Sequence, residues 1–216
     1  MRTDEKKRYV MIIDLQKCLG CKTCTAACCK ENGIFDQSRA WHRVLETVSG
    51  HFPDYKKKFI PAPCMHCNNP PCVSYCPTTA SYKDRKRSIV RIDYSRCITC
   101  EKCIDACPYN ARVLNDSYNR RDERVISEYY PYIGKCTFCI HKIIENENSK
   151  RQTNDNSGSN ISPACVKECC GYARYFGDIN DSESEVSNIL RENNNRMMVF
   201  KEEEGTEPNV FYLNGL

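Results

Sequence analysis

The sequence predicts an α+β fold, rich in loops, in which small strands and short helices form two modules with internal repeats. Three observations predict this class. Of the 216 residues, 18 are cysteine, and sixteen of these fall into four quartets with recurring spacing. Short β-branched runs lead into two of the quartets, which is typical of strands. Similar segments also follow the last cysteine of three quartets, so one local unit is expected to recur along the chain.

The quartets carry the spacing of iron–sulfur ligands. The first and third read C-x2-C-x2-C-x3-C, the second reads C-x2-C-x4-C-x3-C, and the fourth separates C-x2-C from C-x3-C. A C-x2-C-x2-C-x3-C-P run is the ferredoxin signature, and its fourth cysteine ligates the other cluster of a pair. Four [4Fe-4S] clusters, two ferredoxin-like modules and a role in electron transfer are therefore expected. The quartets are Cys18, Cys21, Cys24 and Cys28; Cys64, Cys67, Cys72 and Cys76; Cys97, Cys100, Cys103 and Cys107; and Cys136, Cys139, Cys165 and Cys169.

Each repeat is expected to contain a strand, a ligand loop and a helical turn. Residues 9–14 and 89–93 are β-branched runs that end four residues before the first cysteine of a quartet. The segments after Cys76, Cys107 and Cys169 are each expected to turn into a strand. The third and fourth cysteines are one helical turn apart, and the proline after the third quartet ends its helix because it lacks an N–H.

The order of the quartets divides the chain. The neighbouring second and third quartets are expected to form an inner module at 60–115. The first and fourth then pair across it as an outer module at 1–31 plus 132–180. Residues 32–59, with Trp41 and His42, are an insertion.

Two further segments lie outside the repeats. The polar stretch 146–160 is expected to be a flexible surface loop. Residues 181–216 are expected to add a C-terminal helix at about 183–192, capped by Asp181 or Ser182, and closing strands. These strands are expected at 197–200 and 209–213.

The composition also indicates a fold that depends on metal. Leu, Ile, Val and Phe account for 41 of 216 residues, near the limit of about 20% below which chains of high net charge tend toward disorder. Binding of metal supplies folding free energy when the site exists only in the folded state. Bound clusters are therefore expected to replace much of the core, and the apoprotein to be largely unfolded.

The charge pattern does not indicate a nucleic-acid partner. Clusters carrying about −2 each with their thiolates would change the formal net charge from +4 to about −4. The basic runs at 56–58 and 85–87 are accordingly interpreted as solvated surface. No stretch approaches the roughly 20 apolar residues of a membrane span, and the charged start lacks the apolar segment of a signal peptide.

Several alternatives remain open at this point. Structural zinc would explain C-x2-C pairs, although not the cysteine triads. Cys29 and Cys170 directly follow fourth cysteines and are interpreted as small buried hydrophobes, with a substitute ligand or a redox thiol as the alternative. His66 and His141 could ligate metal, donate a hydrogen bond to sulfur, or simply be solvated. A nucleophilic Cys–His pair is not expected, so the chain is not expected to be an enzyme by itself.

Longer strings resemble a known family. Residues 62–73 (APCMHCNNPPCV), 134–139 (GKCTFC), 163–166 (PACV), 176–178 (FGD) and 210–213 (VFYL) are similar to motifs of the iron–sulfur subunit of molybdopterin-dependent membrane reductases. That group serves polysulfide or sulfur, tetrathionate, arsenate and dimethyl sulfoxide. The resemblance covers nearly the whole chain, and the second motif and the tail favour the sulfur/polysulfide branch.

The resemblance implies which cysteines share a cluster, with the first quartet paired to the fourth and the second to the third. Because position 100 is cysteine, it implies four [4Fe-4S] clusters and no [3Fe-4S] centre. Cys170 departs from the family, in which many members have proline there. The implied ligand sets are Cys18, Cys21, Cys24 and Cys169; Cys28, Cys136, Cys139 and Cys165; Cys64, Cys67, Cys72 and Cys107; and Cys76, Cys97, Cys100 and Cys103.

The resemblance also implies two partners. One is a molybdopterin-containing catalytic subunit, expected at the Cys18/Cys169 end. The other is an integral membrane subunit that oxidises quinol, expected at the Cys97/Cys76 end. The chain would be membrane-associated through them, on the extracytoplasmic face if a targeted partner carries it and otherwise on the cytoplasmic face. The electron-transfer subunit of a formate dehydrogenase or hydrogenase, with electrons running the opposite way, is the alternative.

Overall fold

The computed structural model describes residues 6–116, 131–153 and 161–215, which form a mixed fold of short strands and helices. The strands are β1 (Tyr9–Asp14), β2 (Arg43–Ser49), β3 (Lys56–Ala62), β4 (Ser81–Asp84), β5 (Ile89–Ile92), β6 (Val113–Asn115), β7 (Tyr132–Gly134), β8 (Arg174–Asp178), β9 (Met197–Met198) and β10 (Val210–Leu213). The helices are α1 (Thr23–Asn32), α2 (Pro71–Ser74), α3 (Lys102–Asp105), α4 (Ile140–Thr153), α5 (Ala164–Lys167) and α6 (Glu185–Glu192).

Strand β1 lies inside a four-stranded sheet of order β8-β1-β10-β9. It pairs antiparallel with β8 and parallel with β10. All six of its residues are buried, and successive side chains point to opposite faces of the sheet. Met11 and Ile13 join the main core with the cysteine loops, whereas Val10 and Ile12 pack with Val186 of α6. The sheet therefore separates the cysteine-rich core from the C-terminal helix.

Three two-stranded hairpins complete the strands: β2–β3, β4–β5 and β6–β7. In the β4–β5 hairpin, the strand after the second quartet pairs with the strand before the third. In the large sheet, β8 after the fourth quartet pairs with β1 before the first. The expected strands at 9–14 and 89–93 and those after the fourth cysteines are present, as is the second closing strand. The first closing strand, expected at 197–200, covers only Met197–Met198.

A helical turn is present at each quartet, but α3 ends at Asp105, so the expectation that Pro108 ends it is wrong. In each quartet a helix begins one residue before the third cysteine, at Thr23, Pro71, Lys102 and Ala164. Helix α1 packs against α5, and α2 packs against α3. Within the described ranges, none of the helices combines the length and apolar character needed to cross a membrane.

The expected flexible loop at 146–160 is wrong over residues 146–153, which belong to helix α4; residues 154–160 lie outside the described residues. The polar composition suggested a loop, but tertiary contacts hold the helix. Ile143 is fully buried, and Glu147 forms an ion pair with Arg87. The expected caps of the last helix are also wrong, because Ser184 caps it and accepts a hydrogen bond from Ser187 N at 3.3 Å.

Candidate iron–sulfur centres

Three cavities are each lined by four cysteines. The volumes are about 350 Å³, 300 Å³ and 310 Å³, including space open to solvent. Each combines three cysteines of one quartet with one cysteine of another, and the three sets coincide with sets implied by the resemblance. Cys170 does not line the first cavity. The first cavity is lined by Cys18, Cys21, Cys24 and Cys169, the second by Cys28, Cys136, Cys139 and Cys165, and the third by Cys64, Cys67, Cys72 and Cys107.

The remaining group, Cys76, Cys97, Cys100 and Cys103, is called the fourth group. Cys100 is exposed, and the other three are half-buried. Burial raises the pKa of the Cys103 thiol, Arg112 opposes that rise, and Cys97 adds to it.

Exposure of the cysteines varies systematically among the four sets. The four cysteines of the second cavity are all buried, as are three of the four in the third. The first cavity contains the exposed Cys21, and the fourth group contains the exposed Cys100. The cysteines of two sites are thus mostly buried, and each of the other two sites has one exposed cysteine.

The ligand loops share one backbone feature. The residue before the second cysteine of each quartet has a positive φ: 66° at Gly20, 47° at His66, 50° at Thr99 and 55° at Phe138. A left-handed residue turns the chain sharply within the C-x2-C segment. This turn brings two cysteines only three residues apart to the same site.

Backbone N–H groups point at several sulfur atoms. Ala111 N lies 3.4 Å from Cys107 Sγ, and Ala173 N lies 3.4 Å from Cys169 Sγ. Ser81 N donates to Cys76 Sγ at 3.3 Å. Burial raises the pKa of the Cys76 thiol. The hydrogen bond from Ser81 and others to the same sulfur outweigh burial, so the pKa is lowered overall. Hydrogen bonds to the charged form stabilise thiolates, which are the form that binds metal.

A buried arginine lies between the third cavity and the fourth group. Arg112 is only 3% exposed and lines the third cavity. Its Nη2 lies 3.1 Å from Cys72 Sγ and 2.6 Å from Ser81 Oγ. Because its charge and a hydrogen bond also oppose the rise in the pKa of Cys103, Arg112 acts on cysteines of two sites.

A second buried arginine lies between the first and second cavities. Arg174 is 5% exposed, lines the first cavity, and donates to His42 Nε2 at 2.6 Å. Burial raises the pKa of the Cys165 thiol in the second cavity, and the charge of Arg174 and a hydrogen bond from it oppose this rise.

His42 is oriented by this contact and lines the second cavity. Burial, followed by the charge of Arg174, lowers its pKa well below the usual range, so the ring is neutral. Since arginine can only donate, Nε2 is the acceptor and Nδ1 carries the proton. Nδ1 is buried without a hydrogen-bond partner in the described part of the chain.

The donor sets suit a large anionic inorganic group. Among the described residues, no three His, Cys, Asp or Glu side chains are grouped to bind a single metal ion. The cysteines instead surround open volumes, and two buried donors, His42 Nδ1 and Arg112 Nη1, have no partner among the residues that the structure describes. A [4Fe-4S] cluster is held by four thiolates, and hydrogen bonds to its sulfurs influence its potential. The residues present therefore fit this group.

The open interpretations of the spare residues are resolved in part. His66 is fully buried rather than solvated, and its Nδ1 accepts from Val90 N at 3.1 Å. His141 lies 2.7 Å from Glu31 Oε1, so it contacts a carboxylate. Cys29 is a small buried hydrophobe as expected, packed with Trp41. Cys170 is exposed, so the expectation that it is buried is wrong.

Sequence reasoning missed the roles of His42, Arg112 and Arg174. A signal for the arginines was present: each follows the fourth cysteine of its quartet by five positions, after an alanine. No comparable signal marks His42, because the insertion that carries it lacks a cysteine pattern.

Comparison with known proteins agrees with this geometry. The 4Fe-4S dicluster domain family matches residues 55–179. The chain is 40% identical to a selenate reductase subunit of Mesobacillus selenatarsenatis, over 95% of this chain and 72% of that protein. It is 36% identical to a tetrathionate reductase subunit of Salmonella typhimurium, over 96% and 73% of the two chains. It is 34% identical to the iron–sulfur subunit of arsenate respiratory reductase of a Shewanella species, over 95% and 96%. The chain therefore belongs to the 4Fe-4S dicluster family, among the iron–sulfur electron-transfer subunits of multi-subunit reductases.

Proposed function

We propose that this chain carries electrons through four [4Fe-4S] clusters between a membrane subunit that oxidises quinol and a molybdopterin catalytic subunit. The ligands are the four cysteines of each cavity and the four of the fourth group. The clusters supply one-electron redox chemistry when bound. The chain supplies the thiolates, the enclosing protein and the donors that face them.

The exposure gradient carries this proposal. Cysteines of two sites are enclosed, while Cys21 and Cys100 bring the other two sites to the surface. An electron path through a protein needs an entry and an exit at the surface and a protected interior. Exposure also raises the local dielectric, which is one determinant of cluster potential.

We propose two ferredoxin-like modules, an inner one at 60–115 and an outer one at 1–31 plus 132–180. The pairing of β4 with β5 and of β8 with β1 supports this division. The packing of α2 on α3 and of α1 on α5 supports it as well. In each module, the helix of one quartet therefore packs against the helix of the other quartet.

The two surface ends carry exposed apolar side chains that suit partner contacts. Beside the first cavity, Leu19 is 66% and Tyr172 is 80% exposed. Beside the fourth group, Tyr75 is 65% and Ile98 is 61% exposed. Aromatic residues are enriched at protein–protein interfaces, and the buried centre of an interface is more apolar than the rest of the surface. We assign the first end to the catalytic subunit and the second to the membrane subunit.

Partner assignment is tested by co-purification of the complex. A charge is costly in a buried interface. Tyr172→Asp is therefore expected to release the catalytic subunit and retain the membrane subunit. Ile98→Asp is expected to release the membrane subunit and retain the catalytic subunit. Tyr172→Phe is the matched control and should retain both. The opposite pattern of loss would reverse the assigned polarity.

The terminal acceptor proposed is sulfur or polysulfide, on the residues of the second motif and the tail. A small oxyanion is the second candidate, favoured by the identity to the selenate reductase subunit. The purified complex, reduced with a quinol analogue and mixed with each acceptor in turn, distinguishes them by which acceptor reoxidises the chain.

The cluster content is the primary test. Anaerobically purified complex should contain about sixteen irons and sixteen sulfides per copy of this chain, as four cubanes require. Stoichiometric zinc, or about four irons, would contradict the proposal and favour a structural metal protein.

A further inference from the structure

Arg112 and Arg174 occupy the same place in two repeats. In the third quartet the run is Cys107-Pro-Tyr-Asn-Ala-Arg112, and in the fourth it is Cys169-Cys-Gly-Tyr-Ala-Arg174. In both, the alanine N–H points at the fourth cysteine at 3.4 Å, and the arginine follows at once. The backbone that orients the sulfur therefore also directs the guanidinium inward.

Both guanidinium groups are enclosed among cysteines rather than carboxylates. Arg112 donates to Cys72 Sγ and Ser81 Oγ, and Arg174 donates to His42 Nε2 and to Met11 Sδ at 3.4 Å. Neither appears among the ion pairs of the described residues. A buried charge without a counter-charge is costly, so an anionic partner is required.

We propose that each arginine is a shared counter-charge for two neighbouring clusters, Arg174 for those of the first and second cavities and Arg112 for those of the third cavity and fourth group. This inference rests on the proposed four-cluster path. Each cluster takes up one electron on reduction, so its negative charge rises by one and no proton is needed. A fixed positive charge favours that more negative state, and arginine does not lose its proton in proteins.

The position of each arginine explains why one side chain can act on two sites. Arg174 lines the first cavity and donates to His42, which lines the second. Arg112 lines the third cavity and donates to Ser81 Oγ, and Ser81 N donates to Cys76 Sγ of the fourth group. Loss of either charge is therefore expected to lower the potentials of two clusters together and to leave the other two unchanged.

The test is a redox titration of the anaerobic complex, followed by electron paramagnetic resonance. Signals are assigned beforehand with single Cys→Ser variants. In Arg174→Gln, the ratio of reduced to oxidised cluster at a fixed potential should fall by about tenfold for the first and second clusters, which is about 59 mV for a one-electron couple. Arg112→Gln should shift only the other two. Arg191→Gln, at an exposed arginine of α6 that donates to Ser182 O on the far side of the sheet from the cysteines, is the matched control and should shift none.

Iron is counted first, so that the two proposals fail separately. A wild-type count far below sixteen would contradict the four-cluster function. A shift in one cluster only, or in none, with all iron retained would overturn the shared counter-charge alone. If a Gln variant loses iron, the corresponding Arg→Lys variant is titrated instead. Cluster potentials near those of wild type would support the role of the positive charge. Potentials as low as those expected for the Gln variant would overturn that role.

Discussion

Cys21 Sγ lies 3.5 Å from Cys170 Sγ, and both side chains are exposed. Hydrogen bonds from Thr23 and Cys170 lower the pKa of the Cys21 thiol. The Cys21–Cys170 contact raises the pKa of the Cys170 thiol. Cys170 is thus a surface thiol beside a proposed ligand. Because the first cavity is lined by Cys169 and not by Cys170, the two adjacent cysteines have different expected roles.

Replacement of these two cysteines should separate their roles. Cys170→Ala should retain about sixteen irons, because its sulfur lies outside the first cavity. Cys169→Ala should lose about four, since a cubane would lack one thiolate. Iron analysis of the anaerobic protein measures both, with Cys29→Ala as a buried control that should also keep its iron. Iron loss in Cys170→Ala, with retention in Cys169→Ala, would show that the ligand is one position later.

The crossed pairing predicts an unusual result for Cys107. Cys107→Ser should damage the cluster held by Cys64, Cys67 and Cys72, because Cys107 lines that cavity. The cluster of its own quartet partners should stay intact. Electron paramagnetic resonance of the reduced variant checks this. Loss confined to the site of Cys97, Cys100 and Cys103 would contradict the pairing.

Replacement of Gly20 is expected to weaken cluster binding because of contact with Phe59, and not because of the positive φ at Gly20. The equivalent His66 and Thr99 carry side chains at similar φ, so that backbone state is tolerated. A Cβ at Gly20, however, would overlap the Phe59 ring. Gly20→Ala should therefore lose about four irons faster in chelator than wild type does.

Phe59→Ala should restore most of that retention in the Gly20→Ala background. Gly205→Ala is the matched control: its φ is 61° and no atom of the described residues lies within 4 Å of the added Cβ, so only the backbone cost of about 1 kcal/mol remains. If the double variant lost iron as fast as Gly20→Ala, strain and not overlap would be responsible.

Removal of iron should unfold much of the chain. Cysteines are part of the main core, together with Met65, Phe138 and Tyr212. Without clusters, buried thiols would surround empty volume, and the binding energy that supports the fold would be lost. Circular dichroism during anaerobic chelation should show loss of secondary structure in step with iron. Structure that persists after complete iron loss would contradict the expectation.

The local elements could be predicted from the sequence because the cysteine spacing repeats. One repeat predicts a strand, a ligand loop and a helical turn, whereas the positive φ before each second cysteine was not predicted. Helix α4 could not be predicted, since the Arg87–Glu147 contact that holds it joins residues far apart in the chain. The cap of α6 was missed because Asp181, Ser182 and Ser184 are all capping residue types within four positions. The same holds for His42, whose place beside the second cavity depends on the arginine of another repeat.

Because β1 pairs in parallel with β10, the large sheet cannot form until both strands have been synthesised. Met11 lies opposite Val210, so the ribosome makes β1 long before its neighbour exists. Until then β1 is an apolar strand with an unpaired edge, which is prone to associate with other chains. Pairing between such distant segments is slow, because the entropy of closing the loop precedes any gain. The first cavity is lined by both Cys18 and Cys169, so it can close only after Cys169 has been synthesised, and its cluster is therefore loaded after that point.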